Sequence, residues 1–402
     1  MDYIVRLFRR ETLSTDFIPV IDGLRFLAIL MVVLFHINVY VSDTAHKLGI
    51  EHASLFPLPN ILAFGHQGVQ LFFVISGFVL ALPFLRHGLG LTDKQISLKS
   101  YFLRRLTRLE PPYIICIIFV FLLRIFVISD RYSNSDLTVS LFSSLFYISN
   151  FIFPGELPHI NNVTWSLEIE VQFYIVAPFI VGALCLIKNK TFRRATMLAL
   201  IAGTAIFSWL LADVLLFPVT SLPLFLQYFF GGILLCDIFL LDSDKLGKIN
   251  NAAGFIAGLV LLIIIISFEH AGSANPLIGH PDPFIRIISP LLIIGFYLTV
   301  FGNAWWNRVF SLNVLTLIGG MCYSIYLLHW VIISGVGQLL TRKIAVSNYY
   351  TFFAAQFFVS IFVIAIISAI YYLLIEKPCM KRDWYIRLYK RLKNFTAPFT
   401  LV

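Results

Sequence analysis

Apolar residues run along this chain in long blocks broken by short polar stretches. Blocks close to the ~20 residues needed to cross a bilayer as a helix fall at about 17–40, 65–85, 111–129, 165–187, 195–216, 222–241, 252–268, 284–303, 309–336 and 350–375. They predict ten spans. An eleventh block, about 138–153, is shorter and rich in serine. Lys and Arg decide how these blocks are threaded, because basic residues gather in loops on the cytoplasmic side. With the N-terminus in the cytoplasm and 138–153 not crossing, 23 basic residues fall in cytoplasmic segments and four in outer ones, with Arg25, Arg124 and Arg286 inside spans. If 138–153 crossed, every later loop would change sides and the asymmetry would largely vanish. The expectation is therefore an all-α polytopic membrane bundle of about ten transmembrane spans, with both termini cytoplasmic and one re-entrant or interfacial segment. Residues 1–16 form a cytoplasmic N-terminal segment, 17–375 the membrane domain and 376–402 a basic cytoplasmic tail.

Composition supports this class. Of 402 residues, 59% are hydrophobic and 13% charged, against roughly 45–50% and 25% in soluble domains. Mean hydropathy is +0.87, and 40 Phe with 17 Tyr exclude a disordered chain. The net charge of +9 follows from the loop bias; no nucleic-acid-binding module accompanies it, so nucleic acid is not expected as a partner. The N-terminal arginines followed by an apolar run resemble a signal peptide, but no small-residue cleavage site follows, and the run reads as an uncleaved first span. Five scattered cysteines form no CxxC pair, so neither a disulfide framework nor a metal site is expected.

Ionisable residues inside a bilayer cost several kcal/mol by most scales and mark candidate sites. In the first span Arg25 and His36 are eleven residues apart, about 20° past three full turns, hence on one helix face and roughly 16 Å apart along the axis. Asp22 lies one turn before Arg25, within pairing distance. Before the third span, Arg104, Arg105 and Arg108 are spaced to present guanidinium groups to solvent on one face at the membrane surface, a geometry suited to phosphates and equally usual as a topology signal. Pro111 and Pro112 then read as the start of the span. At the start of the fourth span Trp165 reads as an interface anchor. Glu168 and Glu170, about 200° apart, do not share a face, and one structural reading pairs them with Arg124 or Arg286. In the ninth span Tyr323, Tyr326 and His329 form a polar stripe that also suits interhelical hydrogen bonding alone. The Ser76-Gly77 pair reads as close helix packing rather than a nucleophile.

Several of these blocks, in this order, resemble the acyltransferase 3 family of integral membrane acyltransferases. The similar elements are Asp22 to Arg25 followed by His36, Gly68 to Gly77, Arg104 to Pro111, Trp165 to Tyr174, Tyr323 to His329, and Glu376 to Pro378. They span about 20–380. The resemblance implies transfer of an acyl group (acetyl, alternatively succinyl) from cytoplasmic acyl-CoA to a hydroxyl of an extracytoplasmic carbohydrate. The enzyme would be a multi-pass protein of the bacterial cytoplasmic membrane, with acyl-CoA as co-substrate, a glycan as acceptor, the bilayer as surroundings and no bound cofactor or metal. By the same resemblance, the family's R-x10-H pair corresponds to Arg25 and His36, and its RxxR motif to Arg105 and Arg108. His36 is then general base for direct transfer, or nucleophile of an acyl-imidazole route, while Glu170 orients His36 or binds the acceptor. Arg25, Arg105 and Arg108 bind the donor, and Asp22, Ser76, Trp165, Tyr174, Tyr326 and His329 contribute pocket or acceptor contacts. Many members carry a second Glu where this chain has Val171; the sequence leaves open whether Glu168 takes its place. Some members continue into a secreted hydrolase-like domain. None is recognised here, so transfer is expected to finish within the membrane domain or on a partner. Intramembrane His, Arg and Glu also suit a transporter of a sugar, lipid or proton-coupled solute, although no paired halves with matched broken helices are evident; a non-catalytic scaffold is a weaker alternative.

Overall fold

The computed structural model describes residues 7–8, 10, 17–49, 58–128, 132–214, 220–246, 251–268, 282–343, 348–381 and 384. The outer parts of the expected N-terminal segment and of the basic tail lie outside the described residues. The helices used below are α1 (Pro19–Lys47), α2 (Gly68–Gly88), α3 (Leu98–Phe126), α4 (Asn134–Leu145), α5 (Ser149–Ile152), α6 (Trp165–Leu186), α7 (Lys190–Trp209) and α8 (Leu226–Leu246). They continue as α9 (Asn251–Phe268), α10 (Pro283–Gly302), α11 (Ala304–Phe310), α12 (Asn313–Gly320), α13 (Cys322–Lys343) and α14 (Tyr349–Tyr371). Among the described residues nine helices are long and apolar enough to cross a membrane, and the Asn251–Ser267 stretch is a shorter apolar helix. Bulky apolar side chains such as Phe119, Phe179, Phe358 and Leu374 are exposed on the outside of the bundle, as expected of a surface that meets lipid rather than water.

Close packing organises the centre. At Gly77 a side chain would collide with the backbone at Phe229, and at Gly232 with the backbone at Val74 and Phe78, so α2 and α8 touch backbone to backbone. The packing expected of Gly77 is thus present. Gly319 of α12 meets the Asp22 carbonyl of α1 in the same way. Small residues permit this approach, which in a membrane compensates for the missing hydrophobic drive between helices.

Two sequence expectations require correction. The block 309–336 is not one helix: α11, α12 and α13 follow one another, and the long helix begins at Cys322. The prolines before the third span do not start it. α3 runs from Leu98, capped by Ser97, straight through Pro111 and Pro112. Pro111 has no N–H to give the Thr107 carbonyl; Trp384 Nε1 donates to that carbonyl instead, at 2.9 Å. The carbonyl of Pro112 accepts the Tyr371 hydroxyl. Helix-breaking residues are tolerated inside a span when neighbours satisfy the freed groups in this manner.

The serine-rich block turns back rather than crossing. α4 descends along α3 until Tyr147 meets Glu110, its hydroxyl donating at 3.0 Å; the chain then passes through α5 and returns to Ile160, whose carbonyl accepts from Arg124 Nε at 3.0 Å. Glu110 and Arg124 are 14 residues apart on α3, so the excursion covers about 21 Å of helix axis. Its tip is Tyr147, which has φ of 58°, a conformation that costs a non-glycine residue roughly 1–2 kcal/mol. Stacking on Tyr113 at 4.9 Å and the Gln172 amide donated to the Tyr147 carbonyl at 3.0 Å hold it there. This geometry predicts that Cys introduced at the exposed positions Ser135 and Glu156 labels from the same side of the membrane in a chain otherwise free of cysteine. Labelling from opposite sides would show that the segment crosses.

Candidate active site

A cavity of about 940 Å³, part of it open to solvent, lies where α1, α2, α3, α6, α13 and the end of α14 converge. α1 contributes Arg25 and Val32, α2 contributes Ser76, and α3 contributes Arg105 and Arg108. α6 contributes Ser166, Glu170 and Tyr174, while α13 contributes Cys322, Tyr323 and Tyr326. Arg10, from the segment before α1, and Glu376, at the end of the last helix, complete the polar lining.

Four guanidinium groups therefore share one cavity. Asp22, buried at 2% exposure, holds two of them: Arg25 Nη1 at 2.5 Å, one turn away on α1, and Arg10 Nη1 at 3.1 Å. Glu376 reaches the cavity wall through a π-type turn at Tyr372–Glu376. Its Oε2 accepts from the backbone N–H and hydroxyl of Ser324, at 3.1 and 2.5 Å. The Arg105 guanidinium lies 5.3 Å from the ring centre of Tyr174 and 5.9 Å from that of Tyr101, within cation–π range. Glu170 accepts the Ser76 hydroxyl. The Nε groups of Arg10 and Arg108 are buried without a hydrogen-bond partner among the described residues. Burial, reinforced by Arg25 next to it, holds the Arg10 guanidinium below its ordinary pKa despite Asp22. Buried donors without acceptors and cations crowded together are the condition that a polyanion relieves.

Val32 is the last α1 residue on the cavity wall, and His36 follows one turn later. His36 Nδ1 lies 2.8 Å from the Val32 carbonyl and 3.3 Å from Nε2 of His329. His329 is fully buried, with Nδ1 2.7 Å from the Tyr326 carbonyl and 3.1 Å from that of Ile325. The rings of Phe35 and Trp330 flank His36 at 5.1 and 5.3 Å. Tyr326 ties α13 to the start of α6. Its hydroxyl donates to the Val163 carbonyl at 2.5 Å and accepts the Leu167 N–H at 3.2 Å, with Ser166 Oγ at 3.0 Å.

Of the residues singled out in the sequence, Arg25, Ser76, Arg105, Arg108, Glu170, Tyr174 and Tyr326 line the cavity. His36 and His329 form a pair just beyond it. Some expectations change. Arg105 and Arg108 turn inward to the cavity and Arg104 is the exposed member, because α3 continues unbroken from Leu98 and its neighbours cover that face. Trp165 is not at an interface or on the cavity; it is buried against Phe225 at 5.4 Å. Asp22 is absent from the main cavity wall and instead positions Arg10 and Arg25 while lining an adjoining space of about 800 Å³. Glu168 is not among the residues that line the cavity. It is fully buried and accepts the Asn150 N–H at 3.3 Å, so it fastens the re-entrant tip. Glu170 contacts Ser76 rather than His36. Arg124 and Arg286 donate to the Ile160 carbonyl and Ser208 hydroxyl.

Sequence reasoning passed over Arg10 and gave Glu376 no role. Arg10 carries no signal beyond a basic N-terminus, which topology alone explains. Glu376 stands in the block that ends the resemblance, a usable signal that the expected tail boundary obscured.

A family model described as an acyltransferase domain matches residues 18–373. Among similar proteins, the peptidoglycan O-acetyltransferase of Listeria monocytogenes is 25% identical over 96% of this chain and 59% of its own length. The O-acetyltransferase of Staphylococcus aureus strain NCTC 8325 is 25% identical over 92% of this chain and 58% of its own. A Staphylococcus aureus strain COL protein that also carries an O-acetyltransferase name is 26% identical over 80% of this chain and 51% of its own. The chain thus spans about half the length of the curated relatives it matches. No solved structure matches it significantly.

Replacing Tyr326 by Phe strands the Leu167 N–H and removes the donor to Val163. A stranded buried group costs about 1–3 kcal/mol, so the thermal midpoint of purified Tyr326→Phe protein in detergent should fall. An unchanged midpoint would show that the α13–α6 tie contributes nothing to stability.

Proposed function

Because the chain belongs to the acyltransferase 3 family, we propose that it takes an acyl group, acetyl first among the candidates, from cytoplasmic acyl-CoA and delivers it to a carbohydrate hydroxyl across the membrane. The observation that carries this reading is the cavity itself: it begins among four guanidinium groups and ends, along one face of α1, one turn short of His36. The relatives' O-acetyltransferase names support acetyl as the group and a cell-wall glycan as the acceptor class. The protein works as a multi-pass component of the bacterial cytoplasmic membrane, with the end that carries Arg105 and Arg108 facing the cytoplasm.

The residues divide the task by chemistry. CoA is a polyanion on a thin neutral arm. Arg105 and Arg108 take its phosphates, Arg10 adds a third guanidinium, and Asp22 keeps Arg10 and Arg25 in place. The pantetheine arm passes Arg25 toward Val32, and the ~16 Å from Arg25 to His36 suits an extended arm. His36 takes the proton of the incoming hydroxyl; His is the side chain suited to that near neutral pH. Glu170, held by Ser76, stands midway along the cavity wall, placed for contact with the arm or the acyl carbonyl rather than for orienting His36.

Two outcomes follow, both read as thiol release from acetyl-CoA in membranes normalised to protein. Arg105→Lys with Arg108→Lys keeps the charge but removes the bidentate forks; donor KM should rise roughly tenfold, the effect of about 1.4 kcal/mol, while insertion stays normal. Unchanged KM and kcat would assign these residues to topology alone. His36→Gln should lower kcat by about 10²–10⁴-fold, the usual contribution of general-base catalysis, and near-normal turnover would remove His36 from the reaction.

A further inference from the structure

His329 is fully buried, lies outside the cavity and touches His36, and the transfer as described gives it no task. Hydrogen-bond roles assign one. Carbonyl oxygens only accept. His329 Nδ1, facing the carbonyls of Tyr326 and Ile325, must therefore carry its proton, and in the neutral ring its Nε2 is then an acceptor. His36 Nδ1 faces the Val32 carbonyl on one side and that Nε2 on the other, so it too carries the proton. The lone pair of His36 is left on Nε2. Neither ring contacts a carboxylate among the described residues.

We propose that His329 is a positioning residue: its Nε2 shares with the Val32 carbonyl the holding of His36 as the tautomer with a basic Nε2, and it receives the Nδ1–H of the imidazolium that forms during transfer. It does for His36 what a carboxylate does for the histidine of a hydrolytic triad, with a neutral acceptor that avoids burying another charge. In the step it supports, the acceptor oxygen attacks the thioester carbonyl and gives its proton to His36 Nε2. The new C–O bond forms, the C–S bond breaks, and the same proton passes to the departing CoA sulfur. His329 ends as it began. The backbone helps to hold it, since Tyr326 both accepts from His329 through its carbonyl and is locked through its hydroxyl to Val163 and Leu167.

The inference rests on the preceding reading in taking His36 as the base, and its test separates the two. Two variants of the full chain isolate the acceptor: His329→Leu removes it, and His329→Gln retains an oxygen near the position of Nε2. With acetyl-CoA as probe, His329→Leu should lose kcat on the order of 10–100-fold, as for a hydrogen bond to a charged group, with donor KM changed less than about twofold. His329→Gln should recover most of the loss. In 15N-histidine-labelled protein in lipid, the His36 resonances, identified by their loss in His36→Gln, should show an unprotonated Nε2 in the unsubstituted protein and in His329→Gln. In His329→Leu, where the Nδ1–H keeps only the Val32 carbonyl as acceptor, the His36 Nδ1 resonance should shift while Nε2 stays unprotonated. Unchanged kcat in folded His329→Leu, an equal loss in His329→Gln, or an Nε2-protonated His36 in the unsubstituted protein would each overturn the proposal. If the unsubstituted protein releases no thiol from acetyl-CoA, the donor reading fails, while the tautomer spectra still decide the role of His329.

Discussion

Four guanidinium groups and the carboxylates Asp22, Glu170 and Glu376 meet inside an apolar bundle, and the rest of the molecule is arranged around that concentration of charge. A cation surplus in a low-dielectric interior is tolerable only where each group is paired, hydrogen-bonded or close to water. Asp22 therefore carries two arginines, and it lies where Gly319 lets α12 press directly on the α1 backbone. Glu376 is locked by Ser324 at the point where the last helix widens into a π-type turn. These ties bring the start of α1, the start of α13 and the end of α14 to one end of the bundle.

The same accounting governs the backbone. Inside a membrane every released carbonyl or N–H must find a partner within the protein. Trp384 serves Thr107 beneath the proline pair, and the re-entrant segment lies against α3 and α6 with its tip hydrogen-bonded to Glu110, Gln172 and Glu168. Polar residues that look catalytic by their rarity divide in this way: Glu168 serves the architecture, whereas Glu170, two residues on, faces the cavity.

The long axis of the cavity gives the site its direction. One end is cationic and suits a water-soluble polyanion. The other approaches the His36–His329 pair, with the rings of Phe35 and Trp330 flanking His36. In the proposed reading, recognition and chemistry are separated along a single helix face, so that one bound molecule would reach both ends.

What the sequence determined by itself is whatever depends on local spacing. Span-length apolar runs set the helical class, the Lys and Arg distribution indicated that the serine-rich block does not cross, and helical periodicity placed Arg25 and His36 on one face, Asp22 beside Arg25, and Glu168 away from Glu170. Only the tertiary structure decided which faces meet. Arg105 and Arg108 read as solvent-facing because nothing in their own segment reveals that α6 and α13 close over them. The prolines read as a helix start because the partner for the freed carbonyl comes from Trp384, 277 residues away. Arg10 and Glu376 entered the site from opposite ends of the chain, and His329 became the neighbour of His36 from 293 residues away. Such pairings arise from packing whole helices against one another, and no local spacing encodes them.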